Sequence, residues 1–177
     1  GVWYTSRPGG QRESEGVYEA GERQRGWMFW YASGAQKSVG GFLNGRRHGP
    51  WSHWHENGKK WFEGEYSVGK ATGRWTYWYL GGARESVGDF IAGAKYGEWT
   101  SWHEDGVKKS QGFYTAGARD RGWYFWRADG TLEREGGFRA GREHGLWRFY
   151  GPSGDLEREA SYSAGVLDGV ESTYAEG

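Results

Sequence analysis

The chain has 177 residues, with 34 glycines, 13 tryptophans, no cysteine, and 23 basic side chains balanced by 23 acidic ones. Zero net charge argues against a duplex nucleic-acid binder, and an aromatic share of 19% is too high for a disordered glycine-rich linker. Three prolines without a Gly-x-y triplet exclude collagen, and no apolar stretch is long enough to span a membrane.

Seven tryptophans, Trp3, Trp27, Trp51, Trp75, Trp99, Trp123 and Trp147, follow one another at intervals of 24 residues. A fixed period in this range marks a stacked-repeat architecture. The chain divides into seven units, 1–24, 25–48, 49–72, 73–96, 97–120, 121–144 and 145–168, and a partial eighth, 169–177, in a single repeat array. Glu171 takes the tryptophan slot of that last piece. The array opens on Gly1 at a unit boundary, as expected of a piece of a longer protein.

The elements of one unit are read in order from the third. Residues 51–56 (Trp-Ser-His-Trp-His-Glu) are aromatic-rich and predict a first strand. Asn57-Gly58 follows, a strong hairpin signal, because a type I′ turn needs positive φ at both central residues. The equivalent dipeptides Gly9-Gly10, Ser33-Gly34, Gly81-Gly82, Asp105-Gly106, Asp129-Gly130 and Ser153-Gly154 suit the same turn. Residues 59–66 predict the second strand, with Gly64 on the face of Phe62 and Tyr66, since strand side chains alternate. Glycine there leaves a slot in which an indole from a neighbouring strand lies across the backbone, offsetting the usual cost of strand glycine. The link to the next unit, 67–74, carries glycine at both ends of its middle section and reads as a longer connection.

The fold expected is all-β: tandem 24-residue hairpins in an elongated, twisted antiparallel sheet. About fourteen strands spaced about 4.8 Å apart would make a rod on the order of 65 Å long. A second layer of repetition lies above the unit. Residues 16–49 match 112–145 at 19 of 34 positions, an offset of four units, which points to duplication of a four-unit block.

No nucleophile elbow, phosphate loop, dinucleotide fingerprint or zinc-protease motif is present, so neither a cofactor nor an enzymatic activity is expected. His53 and His55 share a strand face and could join Glu56 or His48 around a metal. However, His55 and His103 occupy one repeat phase and His48 and His144 another, which reads as filling of the template. Glu13, Glu85, Glu133 and Glu157 recur just after the turn and read as solvated hairpin edges.

The aromatic residues are the binding candidates, because tryptophan and tyrosine are enriched in binding hot spots. The first-strand face places Trp27 with Phe29, Trp51 with His53, Trp75 with Tyr77, Trp99 with Ser101 and Trp123 with Phe125 in one phase, an expected partner-binding track. Strands with aromatics on both sides leave the opposite face, around Trp78 and Trp126, as the alternative.

Residues 44–60 (Asn-Gly-Arg-Arg-His-Gly-Pro-Trp-Ser-His-Trp-His-Glu-Asn-Gly-Lys-Lys) and 63–70 (Glu-Gly-Glu-Tyr-Ser-Val-Gly-Lys) resemble the MORN-repeat variant of bacterial proteins, including the YwqK-like antitoxin family. The resemblance extends over nearly the whole chain. It implies antiparallel hairpins and a protein partner, with a toxin as one candidate. Choline- and glucan-binding surface repeats are similar in placing an aromatic three residues, and a glycine seven residues, after the first aromatic. Their unit is nearer twenty residues, and they imply a glycan or amine ligand instead. A bacterial setting, cytoplasmic or cell-envelope, accords with both and with an arginine excess of 16 to 7 over lysine.

Small-angle scattering should give a radius of gyration well above the roughly 16 Å of a 177-residue globule. A value near that figure would overturn the elongated array.

Overall fold

A computed structural model describes residues 1–174; the last three residues of the partial eighth copy, 175–177, lie outside it. Among the described residues all regular structure is β, in a 16-stranded antiparallel sheet whose strand order follows the chain. Two compact units divide the chain, Gly1–Arg84 with Phe90–Gly93, and Glu85–Asp89 with the residues from Ala94 onward. The first holds β1 (Val2–Ser6), β2 (Arg12–Glu19), β3 (Glu22–Trp30), β4 (Gln36–Leu43), β5 (Arg46–Trp54), β6 (Lys60–Ser67) and β7 (Lys70–Trp78). Strand β8 (Arg84–Ile91) gives residues to both units. The second holds β9 (Ala94–Trp102), β10 (Lys108–Thr115), β11 (Ala118–Trp126), β12 (Leu132–Arg139), β13 (Arg142–Tyr150) and β14 (Leu156–Ser163). Two short strands, β15 (Val166–Leu167) and β16 (Ser172–Thr173), both pair with β14.

The two kinds of turn exchange the roles expected of them. At Asn57-Gly58 only the glycine has positive φ, 81°. Gly58 N–H donates to His55 O (3.0 Å) and His55 N–H to Lys59 O (2.8 Å), the three-residue loop in which a type I turn ends in a bulge glycine. Asn57 is there for its side chain: Oδ1 accepts the N–H of Lys59 at 3.0 Å, as Asp105 does for Val107 and Asp129 for Thr131. The two-residue type I′ turns join one unit to the next. Asn44-Gly45 has φ of 49° and 70°, and Val68-Gly69 has 45° and 84°. The link read as long is short, because its extra residues sit in a β-bulge. Gly16 pairs with Trp27 and Val17 with Gln24, so Arg25 and Gly26 bulge out of β3. The same shift recurs in β5 before Trp51 and in β11 before Trp123.

The core is a row of indoles laid on glycines. A Cβ built on Gly16, Gly40, Gly64, Gly88, Gly112 or Gly136 would stand 2.1 to 2.3 Å from the ring of Trp27, Trp51, Trp75, Trp99, Trp123 or Trp147. Each indole comes from eleven residues further on. Its buried N–H needs an acceptor, and the interrupted ladder at the bulge supplies one. Trp51 Nε1 donates to Gly41 O (2.9 Å), Trp123 Nε1 to Phe113 O (3.0 Å) and Trp147 Nε1 to Gly137 O (3.1 Å). Edge-on rings two residues past the slot glycine close the sides: Tyr18 meets Trp27 at 5.0 Å, Phe42 meets Trp51 at 5.2 Å and Tyr114 meets Trp123 at 5.1 Å.

The end of the array departs from the template consistently. Ala160 replaces the slot glycine and is fully buried. The residue eleven positions later is Glu171, which turns to Arg158 at 3.0 Å instead of seeking a slot. With no indole to receive, a methyl group is tolerated.

Gly88→Ala should lower the free energy of unfolding by on the order of 3 kcal/mol, since neither ring nor backbone can retreat. Ala160→Gly should cost less than about 1 kcal/mol, the entropic penalty alone. Chemical denaturation followed by tryptophan fluorescence measures both, and equal effects would overturn the slot account.

Candidate functional site

The structure buries the tryptophans of the expected track. Trp27, Trp51, Trp75, Trp99 and Trp123 are 1–4% exposed, so an exposed indole stripe on that face gives way to a core row. Their companions Phe29, His53, Tyr77 and Phe125 lie on the same face and are half-buried. Glycine closes one side of each indole, and a cation four residues before it covers the other in four of the copies. Arg23 stands 4.7 Å from the ring centre of Trp27, Arg47 4.5 Å from Trp51, Lys95 4.0 Å from Trp99 and Arg119 4.7 Å from Trp123. Contacts of this kind contribute about 0.5–2 kcal/mol each. The Arg/Lys–x–x–x–Trp spacing of these four copies is the signal in the sequence for this cover, which the glycine–indole pattern alone does not reveal.

The opposite face carries the second tryptophan of each strand, half-buried: Trp30, Trp54 and Trp78 in the first unit, Trp102 and Trp126 in the second. These rings also meet cations. Arg12 stands 5.7 Å from Trp30, Lys60 5.4 Å from Trp78 and Lys108 5.0 Å from Trp126. Each cation is held by an acceptor three residues on, Glu15, Glu63 or Gln111.

The recurring histidines belong to a hydrogen-bond ladder along one edge. In five copies the side chain four residues after the template tryptophan reaches the backbone of the next copy. Arg7 donates to Trp30 O (3.0 Å), Tyr31 Oη to Trp54 O (2.8 Å), and His55 Nε2 meets Trp78 O (3.2 Å). In the second unit His103 Nε2 meets Trp126 O (2.9 Å), and Arg127 donates to Tyr150 O. A carbonyl only accepts, so Nε2 carries the proton in both histidines. Among the described residues no three His, Cys, Asp or Glu side chains group as metal ligands do.

One tryptophan stands outside the two positions that the other twelve occupy. Trp61 is 41% exposed, at the phase where the other copies place Glu13, Lys37, Glu85, Lys109, Glu133 and Glu157. It stacks on His55 (5.5 Å, 26°) and meets His53 edge-on at 5.0 Å. His53 in turn stacks on Phe62 (5.0 Å, 16°), and its Nε2 is buried with no hydrogen-bond partner among the described residues. Burial, then Lys37, Arg47 and His55, hold the His53 pKa down at about 4. The ring is therefore a neutral, aromatic part of this surface at physiological pH.

The family model of the MORN repeat variant matches residues 47–67, 95–116 and 143–164. Each match spans one hairpin across its Gly-closed loop, β5–β6, β9–β10 or β13–β14. The matches start 48 residues apart (95 − 47 and 143 − 95), which is two copies of the 24-residue unit. Repeats of this variant are in general interaction modules, without a catalytic centre as a rule. The comparison with curated proteins gives no match.

Because His53 titrates lower folded than its ordinary 6.5, its neutral form contributes stability above pH 6.5 that is lost as pH falls toward 4. His53→Phe, the residue found at the equivalent Phe149, should flatten the fall in melting temperature across that window. An unchanged pH profile would show that His53 is not the group responsible.

Proposed function

We propose that the chain is a non-enzymatic protein-binding module whose contact face in the first unit centres on Trp61. The observation that carries this reading is a tryptophan, 41% exposed, where the template otherwise places a charge. Side chains that serve the fold recur every 24 residues; one that breaks the pattern by adding exposed apolar surface weakens solubility and gives the core nothing. Exposed aromatic surface marks interaction sites, and tryptophan is the residue type most enriched where binding energy concentrates.

Around Trp61 lie His55 and the neutral ring of His53, with Phe62 leading on to Tyr77 (6.1 Å). Phe29, stacked at 6.1 Å on Trp51, extends the same face. The buried Trp27, Trp51 and Trp75 take part as rigid support beneath it. In the second unit Trp99 and Trp123 support an equivalent face in the same way. There Phe125 is covered by Arg119 and Arg134, at 5.5 and 4.5 Å, and offers no open ring. A toxin covered and neutralised by such a face is one form the partner takes, and a second protein held on a scaffold is another. A quaternary-amine or sugar ligand would need open ring faces, and several rings here already carry the chain's own arginines and lysines.

Trp61→Lys adopts the residue of the Lys37 and Lys109 copies, so it should leave the melting temperature unchanged. It should weaken capture of a partner retained stoichiometrically from the source extract by tenfold or more, the loss typical of a hot-spot aromatic. Unchanged capture would refute this face. Binding to a glycan array that depends on Trp61 would reassign the ligand to carbohydrate.

A further inference from the structure

The aromatic face of the first unit holds an uncompensated cluster of positive charge. A cleft of about 250 Å³ is lined by Arg23, Lys37, Arg47 and His53, with Ser38 at its floor and ring edges between. The three cations come from the successive strands β3, β4 and β5. Among the described residues none of them has a carboxylate within salt-bridge distance. By contrast, seven other cationic side chains in the same chain do, Arg7, Arg12, Arg25, Lys60, Arg134, Arg148 and Arg158.

The four-unit duplication supplies an internal comparison. At an offset of 96 residues, Arg23 and Phe29 are kept as Arg119 and Phe125, but Lys37 becomes Glu133 and Arg47 becomes Glu143. Ser38 becomes Arg134, which lies over Phe125 and Trp147 at 4.5 and 5.4 Å and pairs with Glu143 at 3.5 Å. The second copy thus fills the space with its own arginine and cancels the charge. In the first copy a small buried serine leaves the cleft open and three cations unanswered. Fold maintenance does not require that arrangement, since the copy built without it has the same strands and the same indole row.

We propose that this cleft binds the phosphate group of a small, soluble phosphate monoester. A guanidinium lying over a ring keeps its in-plane N–H groups free, and those forks match the oxygens of an oxyanion. Arg47 spends one donor on Tyr66 Oη (3.0 Å) and keeps the rest. A doubly charged phosphate answers three cations better than a single carboxylate does. The cleft is below the roughly 300 Å³ at which pockets for drug-sized ligands begin, so it takes a compact group and not a large molecule. His53, with its ring nitrogen buried and unpartnered, gains both a hydrogen-bond acceptor and a counter-charge when the anion enters. This proposal needs no protein partner and stands or falls apart from the Trp61 face.

The test is a titration with inorganic phosphate, and with glycerol phosphate as the soluble ester, at constant ionic strength, followed by NMR of the His53 ring. Saturable binding is expected, with the His53 titration midpoint moving up from about 4 in the bound state. Lys37→Glu with Arg47→Glu, both residues that the duplicate copy accommodates, should weaken binding at least tenfold. Ser38→Arg, which copies Arg134, should block it by filling the cleft. Circular dichroism checks that each variant keeps its β-structure, and either one alone is decisive. Absence of saturable binding, or equal affinity in a folded variant, would overturn the proposal. So would binding to phosphatidylglycerol vesicles, in place of soluble phosphate, that survives the Lys37→Glu and Arg47→Glu changes.

Discussion

An indole can lie flat against a β-strand only where the facing residue has no side chain, and most of this molecule follows from meeting that condition repeatedly. The slot glycine must stand eleven residues before its tryptophan, with a two-residue turn and a bulge between them. The bulge disrupts the strand ladder where the indole N–H needs an acceptor. A cation four residues before the tryptophan then covers the outer ring face in the copies of Trp27, Trp51, Trp99 and Trp123. Trp3, which heads the same template and lies on no glycine slot among the described residues, is 59% exposed, whereas Trp147, seated on Gly136, is completely buried. Burial is therefore a property of the junction between copies and not of the unit, as expected of one-dimensional repeat arrays.

The period, the strands and the glycine slots were legible because seven copies repeat them without an insertion. The turn types were not. Asn-Gly can mean positive φ at both residues, or an asparagine side chain bonded to the backbone with only the glycine turned. The dipeptide at Asn57-Gly58 is the second kind, while Val68-Gly69, with no Asx residue at all, is the first. The bulge was hidden for a related reason: two extra residues beside a glycine look like loop until the register of both flanking strands is known. Which face is covered was also unreadable from alternation alone, since both sides of each first strand carry aromatic rings.

Two kinds of residue emerge from the comparison of copies. Those that recur in phase build the sheet, among them the edge ladder of Arg7, Tyr31, His55, His103 and Arg127. Those that break phase do something the sheet does not need. Trp61 adds exposed aromatic surface, and Lys37, Ser38 and Arg47 open a cationic cleft that the duplicate closes with Arg134 and Glu143. Departures of a copy from the average of the array are therefore the places to look for function, with the other copies as an internal reference.

The eleven-residue interval between glycine and indole has a genetic consequence. Because alternate residues of a strand face opposite ways, one residue inserted inside that interval would send the ring to the wrong side of the sheet or past its slot, and the misplacement would repeat in nothing else. A whole block of 24 residues, in contrast, adds or removes one complete junction and leaves every other pairing in step. The array therefore behaves like text with a reading frame: length changes by entire words, in keeping with the four-unit offset at which residues 16–49 match 112–145, while single letters can be exchanged but not added.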